Sequence, residues 1–308
     1  MSVFLAILQV VIVTLVAPLV SGATRLIRAK MHSRKGSDVF QDYRDIAKLM
    51  TRQEVRSNTS SFVARVMPVL YFAVMVVLAC GIPMITIASP VPLLGDIITV
   101  IYLLALSRFF FSLAAVDTSS AYAGRGGLRE LIVGVLVEPT MLLALFAAAL
   151  VAGSTNMGAM GLAVATGAVS APVATFLAAV AFALACYVEL GKVPFDMAEA
   201  EQELQEGPLA EYSGPSLALL KLSMSMKQVI VVSWFLAIFF PFGAAATLNF
   251  GTFLLGIVAW CLKVAVAFAV CAVVENSVMR TRYKLLGTQT WAIFGVSVLS
   301  FAFLIVGV

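Results

Sequence analysis

The chain has 308 residues, of which 62% are hydrophobic and 12% charged, with a net charge of +4. That balance excludes a soluble domain of ordinary composition and places the chain among integral membrane proteins. The excess of positive charge is small and falls on one set of loops, so it speaks to topology and not to nucleic acid.

Apolar runs long enough to cross a bilayer, about 20 residues each, occur at 3–20, 66–89, 96–116, 131–153, 171–190, 222–243, 250–274 and 290–308. The expected fold is therefore an all-α integral membrane protein with eight transmembrane helices, read as one polytopic domain over 1–308. The first run lacks a basic stretch ahead of it, and its positive charges follow it, so it is expected to remain as a membrane helix and not to be cleaved as a signal peptide.

Outside the apolar runs, Lys and Arg are confined to alternate loops. Segment 21–65 holds ten of them, and the loops near 90–95, 154–170 and 244–249 hold none. The positive-inside rule then puts both termini outside and two large loops, 21–65 and 191–216, on the cytoplasmic face. Within the first loop, residues 39–52 place Phe40, Tyr43, Ala47 and Met50 on one face of a helix and charges on the rest, the pattern of an amphipathic helix lying at the membrane interface. This loop carries ten basic and four acidic residues, and 191–216 one basic and six acidic. Opposite charge on the same membrane face predicts that the two loops pack together or share a partner.

Several ionisable residues fall within the apolar runs: Arg108, Glu138, Lys227 and Lys263, with Glu189, Lys221 and Glu275 near their ends and Asp96 at an opposite end. A charge in hydrocarbon costs several kcal/mol, so each must pair, line a wet cavity or reach the surface. For Lys221 and Glu275 the expectation is reaching out to the interface. Glu138, well inside its span and followed by Pro139, reads as a proton carrier. Arg108, Lys227 and Lys263 read as counter-charges. The four cysteines lie in apolar runs without metal or redox spacing, and His32 is the only histidine, so no haem or iron–sulfur ligand set is expected in this chain.

The most informative stretch runs from Glu189 to Gly214, ELGKVPFDMAEAEQELQEGPLAEYSG. Pro194 and Asp196 read as a helix start, Asp196 and Glu199 have capping-box spacing, and Gly207-Pro208 reads as its end. Glu199, Glu203 and Glu206 would share one face of that helix. Taken alone, such a helix is a solvated charged face. Its place beside the buried Glu189 and Glu138 favours a functional role, and the resemblance of this stretch to the subunit 1 family of respiratory complex I implies a proton path through Glu138, Asp196, Glu199, Glu201, Glu203 and Glu211, with Glu189 leading inward and Glu206 particular to one branch of that family.

This stretch resembles the hallmark of the subunit 1 family of respiratory complex I. Its extension EQELQEGPLAEYSG is similar to the branch of that family that anchors membrane-bound nickel–iron hydrogenases of the formate hydrogenlyase and hydrogenase-4 type. Supporting segments are Ser33 to Gly36, Gln41 to Asp45 with Lys48, Ser107 to Phe111, Arg129-Glu130, Leu136 to Pro139, and Glu275 to Ser277 followed by Arg280 and Arg282. One departure is Gly36-Ser37, where relatives usually have Gly-Pro.

The resemblance implies a non-redox subunit of the bacterial cytoplasmic (inner) membrane. Its expected partners are hydrogenase large and small subunits, an iron–sulfur protein, an antiporter-like membrane subunit and formate dehydrogenase. No cofactor is expected in this chain, while a nickel–iron centre and iron–sulfur clusters are expected in those partners. It also implies docking through Arg34, Lys35, Gln41, Asp42, Tyr43, Arg44, Asp45, Lys48 and Tyr212. Two other readings stand beside it: the quinone-site subunit of a proton-pumping NADH dehydrogenase, and a stand-alone ion-coupled transporter, the latter weakened by the lack of an internal repeat.

Overall fold

In a computed structural model, residues 2–57, 60–198, 200–246 and 249–307 are described. Among the described residues, eight helices are long and apolar enough to cross a membrane: α1 (Ser2–Met31), α3 (Phe62–Gly81), α4 (Ile97–Asp117), α5 (Ala121–Ala152), α7 (Pro172–Glu189), α9 (Gly214–Phe239), α10 (Phe250–Ser277) and α11 (Leu286–Val306). Three shorter ones, α2 (Gln41–Met50), α6 (Met157–Ala165) and α8 (Glu201–Leu204), lie between them. The described residues include no β-strand, only isolated bridges at Thr86–Ala245 and Asp96–Asn156. The chain is a multi-pass membrane protein, and an even number of crossings returns both termini to one side.

The spans match the expected number but not always the expected limits. Helix α1 continues eleven residues beyond the apolar run, to Met31, and carries Arg25 and Arg28 with it. Helix α5 begins at Ala121, ten residues before its apolar run, because Gly126 and Gly127 allow close packing: a Cβ on Gly126 would stand 2.7 Å from Pro208 Cδ and 2.8 Å from the Ala198 carbonyl oxygen. Helix α3 stops at Gly81, short of residue 89, and the chain folds back so that Leu94 lies against Gly81. Helix α6 occupies a region expected as loop, started by Asn156, whose side chain accepts from Gly158 N at 3.0 Å.

Helix ends are tied by polar side chains where they leave the apolar layer. Ser61 caps α3 and donates from its hydroxyl to Asp117 at the end of α4, at 2.8 Å. Asp96 caps α4 through Ile98 N at 3.1 Å. Packing is centred on α5, which lies against α4, α7 and α11; α3 joins α4 to α9, and α1 packs on α9 and α10. Phe182 of α7 sits edge-on to Trp234 of α9, ring centres 4.9 Å apart, and Trp260 of α10 donates to Ser233 at 2.9 Å. These bulky buried groups hold α7, α9 and α10 at fixed spacing around the polar interior.

Helix α2 forms as expected from its pattern. Phe40 and Met50 are exposed, as an interfacial face requires, while Asp42 points inward to Arg25 of α1. The two large loops also meet, though not through opposite charges. Val55 N donates to Ser213 Oγ at 2.7 Å, Ser213 Oγ donates to the Val55 carbonyl at 2.9 Å, and Ser216 donates to Glu54. Among the described residues no ion pair joins 21–65 to 191–216; the acids of the second loop use Arg129 and Arg280 instead.

The acidic helix expected after Pro194 is a correction. Residues 190–198 are irregular, α8 is a single turn, and Gln205 and Glu206 adopt the left-handed conformation at φ 49° and 67° before a 3-10 turn at Gly207–Glu211. Pro194 follows a cis peptide. Gly207, itself at φ 54°, comes so close to Ala198 and Gly126 that no side chain fits. The segment is thus folded down onto α5 and does not stand out as a helix, and Glu203 and Glu206 share no helical face.

Candidate functional site

The site grows from one face of α5, where Glu130, Gly134 and Glu138 recur every four residues. Gly134 leaves a slot for Arg108 of α4: a Cβ there would lie 2.6 Å from Arg108 Cδ and 2.8 Å from Cζ. Arg108 is 4% exposed. Its Nη1 donates to Glu138 Oε1 at 2.6 Å, its Nη2 donates to Glu189 Oε2, and its Nε stands 3.6 Å from Glu130 Oε1. From α9, Lys227 Nζ lies 2.9 Å from Glu189 Oε1 and 3.7 Å from Glu130 Oε1. Four helices thereby contribute five charged groups to one cluster, with Arg108 and Glu189 buried at its centre and Glu130, Glu138 and Lys227 partly exposed.

Bare ions would be intolerable at this depth, and each charge here has an opposite neighbour. The balance is uneven, with three carboxylates facing two cations. With all five groups ionised, one negative equivalent is left over. A cavity of about 70 Å³ adjoins it, lined by Tyr71, Arg108, Glu130, Glu189, Asp196, Lys227 and Gln228 among others. At about 10–15 Å³ per water, it has room for a few waters among several polar partners.

A second, polar recess of about 250 Å³ opens between α1, α2, the 3-10 turn and α9, lined by Arg25, Asp42, Asp45, Glu206, Lys221 and Gln228. Met224 and Gln228 belong to both linings, so the recess and the buried cavity share this stretch of α9 as a wall. Polar groups therefore run from the loop face to mid-span.

Other expected site residues are dispersed. Asp196 pairs with Arg280 at 2.7 Å, Glu203 with Arg129 at 2.8 Å, and Glu211 lines a small cleft with Glu54, Arg56 and Tyr212. Glu199 and the side chain of Glu201 lie outside the described residues. Lys263 is not part of the charge cluster: its ammonium donates to the Phe240 and Phe242 carbonyls at 3.0 and 3.1 Å.

Of the docking candidates, Arg34, Lys35, Arg44 and Lys48 are exposed, with Arg44 on Asp38 at 2.8 Å. Gln41 donates to Asp45 at 2.9 Å, Tyr43 donates to the Leu15 carbonyl, and Tyr212 donates to the Ala64 carbonyl at 3.1 Å. Asp42, Tyr43 and Tyr212 thus tie the loops to the membrane helices. Burial raises the Tyr212 hydroxyl above the ordinary tyrosine range.

Glu275 does not reach out to the interface as expected. It is 7% exposed and held by Arg28 at 3.4 Å and Lys192 at 3.7 Å. Lys192 also lies over the Phe268 ring at 5.3 Å, and burial pulls its ammonium below the ordinary lysine range, with Glu275 acting against that. The residue missed altogether as a site member is Glu130. Its apolar run starts one residue later, which hid its membership of α5, yet the Glu130–Gly134–Glu138 spacing was a usable signal. Among the described residues no three of His, Cys, Asp and Glu stand together as a metal-binding group.

Comparison with known proteins places these features in context. A family model described as NADH dehydrogenase matches residues 3–306. The chain is 46% identical to hydrogenase-4 component C of Escherichia coli (strain K12), over 99% of this chain and 96% of that protein. It is 44% identical to formate hydrogenlyase subunit 4 of the same organism, over 99% of both. A subunit of the NADH-quinone oxidoreductase of Salinibacter ruber is 27% identical over 77% of this chain and 69% of its own length. A chain in the structure of the membrane-bound sulfane sulfur reductase, an archaeal respiratory membrane complex, superposes with a TM-score of 0.85 at 22% identity, covering 97% of this chain and 98% of that one, and so shares the fold. The full-length match and the eight spans together mean that this chain belongs to the NADH dehydrogenase family of membrane subunits, alongside hydrogenase-4 component C and formate hydrogenlyase subunit 4.

Proposed function

We propose that this chain is the non-redox membrane subunit of a formate hydrogenlyase-like, hydrogen-evolving complex. In this reading it lies in the bacterial inner membrane with its two large loops cytoplasmic. It anchors the hydrogenase and iron–sulfur arm, contacts an antiporter-like membrane subunit, and passes protonation changes inward. Nickel–iron and iron–sulfur chemistry resides in the partners. The similarity to two hydrogenase-complex subunits over nearly the whole chain supports the anchor role.

The observation that carries the coupling role is the uneven buried cluster. Three carboxylates share two cations beside a polar cavity with room for a few waters, and Met224 and Gln228 line both that cavity and a polar recess on the loop face. A proton arriving through the recess would meet Glu130 and Glu189 first, since both line the cavity, and Arg108 links them to Glu138. The unpaired negative equivalent is where it would be held.

The test is to purify the tagged chain in mild detergent with its co-purifying subunits and assay hydrogen evolution from reduced viologen, then reconstitute the complex in vesicles with a pH-sensitive dye. Hydrogen evolution by the co-purified complex supports anchoring. Loss of the ion gradient in Glu138→Gln with hydrogen evolution retained supports coupling. A gradient unaltered in both Glu130→Gln and Glu138→Gln leaves an anchor without coupling, and absence of any hydrogen-evolving partner removes both parts.

A further inference from the structure

Tyr71 brings a fifth helix to the charge cluster. Helix α3 joins α4 to α9, and from it Tyr71 lines the cavity beside the cluster. Tyr71 is 4% exposed. Its ring is set against Phe111 of α4, with ring centres 5.9 Å apart and planes tilted by 57°. The charged groups that face it are Lys227, Glu130, Glu189 and Arg108. Yet none of the described residues forms a hydrogen bond with its hydroxyl.

A buried hydroxyl without a partner is costly, because it gives up hydrogen bonds to water and gains none in return. Two other groups around the same cavity share that condition. Arg108 Nε is buried and makes no hydrogen bond, standing 3.6 Å from Glu130 Oε1. Glu130 accepts no hydrogen bond from the described residues, and its other cation contact, to Lys227, is 3.7 Å long. Glu138 and Glu189, by contrast, are held by direct bonds. Polar separations just beyond 3.5 Å are those that a bridging water closes. A donor, an acceptor and a hydroxyl that can serve as either therefore surround one small cavity. These are the partners that a single buried water needs.

We propose that Tyr71 is a positioning residue that, with Arg108 Nε and Glu130, holds one ordered water in the cavity, and that this water delivers the proton to Glu130, a step that rests on the coupling role proposed above. The water accepts from Arg108 Nε–H and donates to the Glu130 carboxylate and to the Tyr71 oxygen, which leaves one lone pair for an incoming proton. When a proton binds there, the water's O–H bond toward Glu130 breaks as the Glu130 O–H bond forms, and the water is neutral again. Tyr71 is not ionised at any stage. It fixes the orientation of the water, which without the phenol keeps two partners in place of three.

Two measurements on the intact protein with its co-purifying subunits test this. The first is radiolytic footprinting in heavy-oxygen water, in which bound water labels the buried side chains beside it. Tyr71 and Met197, each 4% exposed and both lining the cavity, should take up the heavy oxygen in the wild type. If neither is labelled, the cavity is dry and the proposal is overturned. Tyr71→Phe keeps the ring on Phe111 and removes only the hydroxyl, and should lower Met197 labelling several-fold. The second measurement is proton uptake per hydrogen evolved in vesicles. Tyr71→Phe should lower it by up to about tenfold, the worth of one hydrogen bond to the water. Wild-type uptake in Tyr71→Phe overturns the proposal whether or not labelling falls; if Glu138→Gln abolishes the gradient in the same vesicles, the coupling role stands and the part given to Tyr71 alone fails. Wild-type uptake in Tyr71→Phe, Glu130→Gln and Glu138→Gln alike overturns the delivery step and the coupling role together.

Discussion

Arg108→Met tests whether the buried cluster is a single electrostatic unit. Methionine keeps much of the side chain's length and fills the slot beside Gly134, so repacking costs less than about 1.5 kcal/mol. What is lost is the guanidinium, at 4% exposure, which holds Glu138 at 2.6 Å and Glu189, itself 3% exposed. Lys227 then faces three carboxylates alone, and the cluster moves from one excess negative charge to two. Breaking a buried pair by removing one partner costs about 3–5 kcal/mol. Removing a carboxylate as well, in Arg108→Met with Glu189→Gln, restores the original charge balance. The coupling between the two sites should recover about 2 kcal/mol of that loss. The assay is a chemical unfolding titration of the detergent-solubilised protein for wild type, both single variants and the double. Additive losses, or a single Arg108→Met variant within about 1 kcal/mol of wild type, would refute the picture of mutually dependent charges.

Three further outcomes follow from the geometry. Gly134→Ala places a methyl group against Arg108 Cδ and Cζ, so the Arg108–Glu138 bond should break; proton uptake on reconstitution should fall while assembly persists, and a wild-type uptake profile would argue against the slot. Glu275→Gln leaves Arg28 and Lys192 facing each other without their shared carboxylate, and should cost about 3 kcal/mol in the same unfolding titration. Near the loop junction, the Arg56 guanidinium at 2.6 Å holds the Glu54 carboxyl below its ordinary range, with Ser216 adding a hydrogen bond. A carboxyl depressed in the folded state contributes its stability above the ordinary glutamate value and loses it as pH falls through the folded one. Proteolysis of the 51–57 segment should therefore increase on acidification in the wild type and lose that pH dependence in Glu54→Gln.

Much of this protein follows from its sequence alone. Apolar runs of bilayer length and one-sided Lys and Arg determine eight spans and two large loops on one face, because hydrocarbon tolerates neither unpaired backbone nor unpaired charge. The same cost marked Arg108, Glu138, Glu189 and Lys227 as residues needing partners before any partner was visible. The pattern of 39–52 likewise dictated α2, since amphipathic periodicity is a local property.

Only the tertiary structure decided who those partners are. Glu130 joins the cluster because α5 starts ten residues earlier than its apolar run and Gly134 admits Arg108 from another helix. Glu275 turns inward because Arg28 and Lys192 arrive from two distant segments. The acidic stretch looked helical by capping residues and spacing, yet Gly126 and Gly207 let it collapse onto α5, where close backbone contact outweighs a short helix's weak intrinsic preference. Lys263 resembled the other buried cations in sequence, and the end of α9 gave it a separate place. Local patterns fix which segments cross the bilayer; the pairing of charges across it depends on which helices lie side by side, and that is settled by packing between residues far apart in the chain.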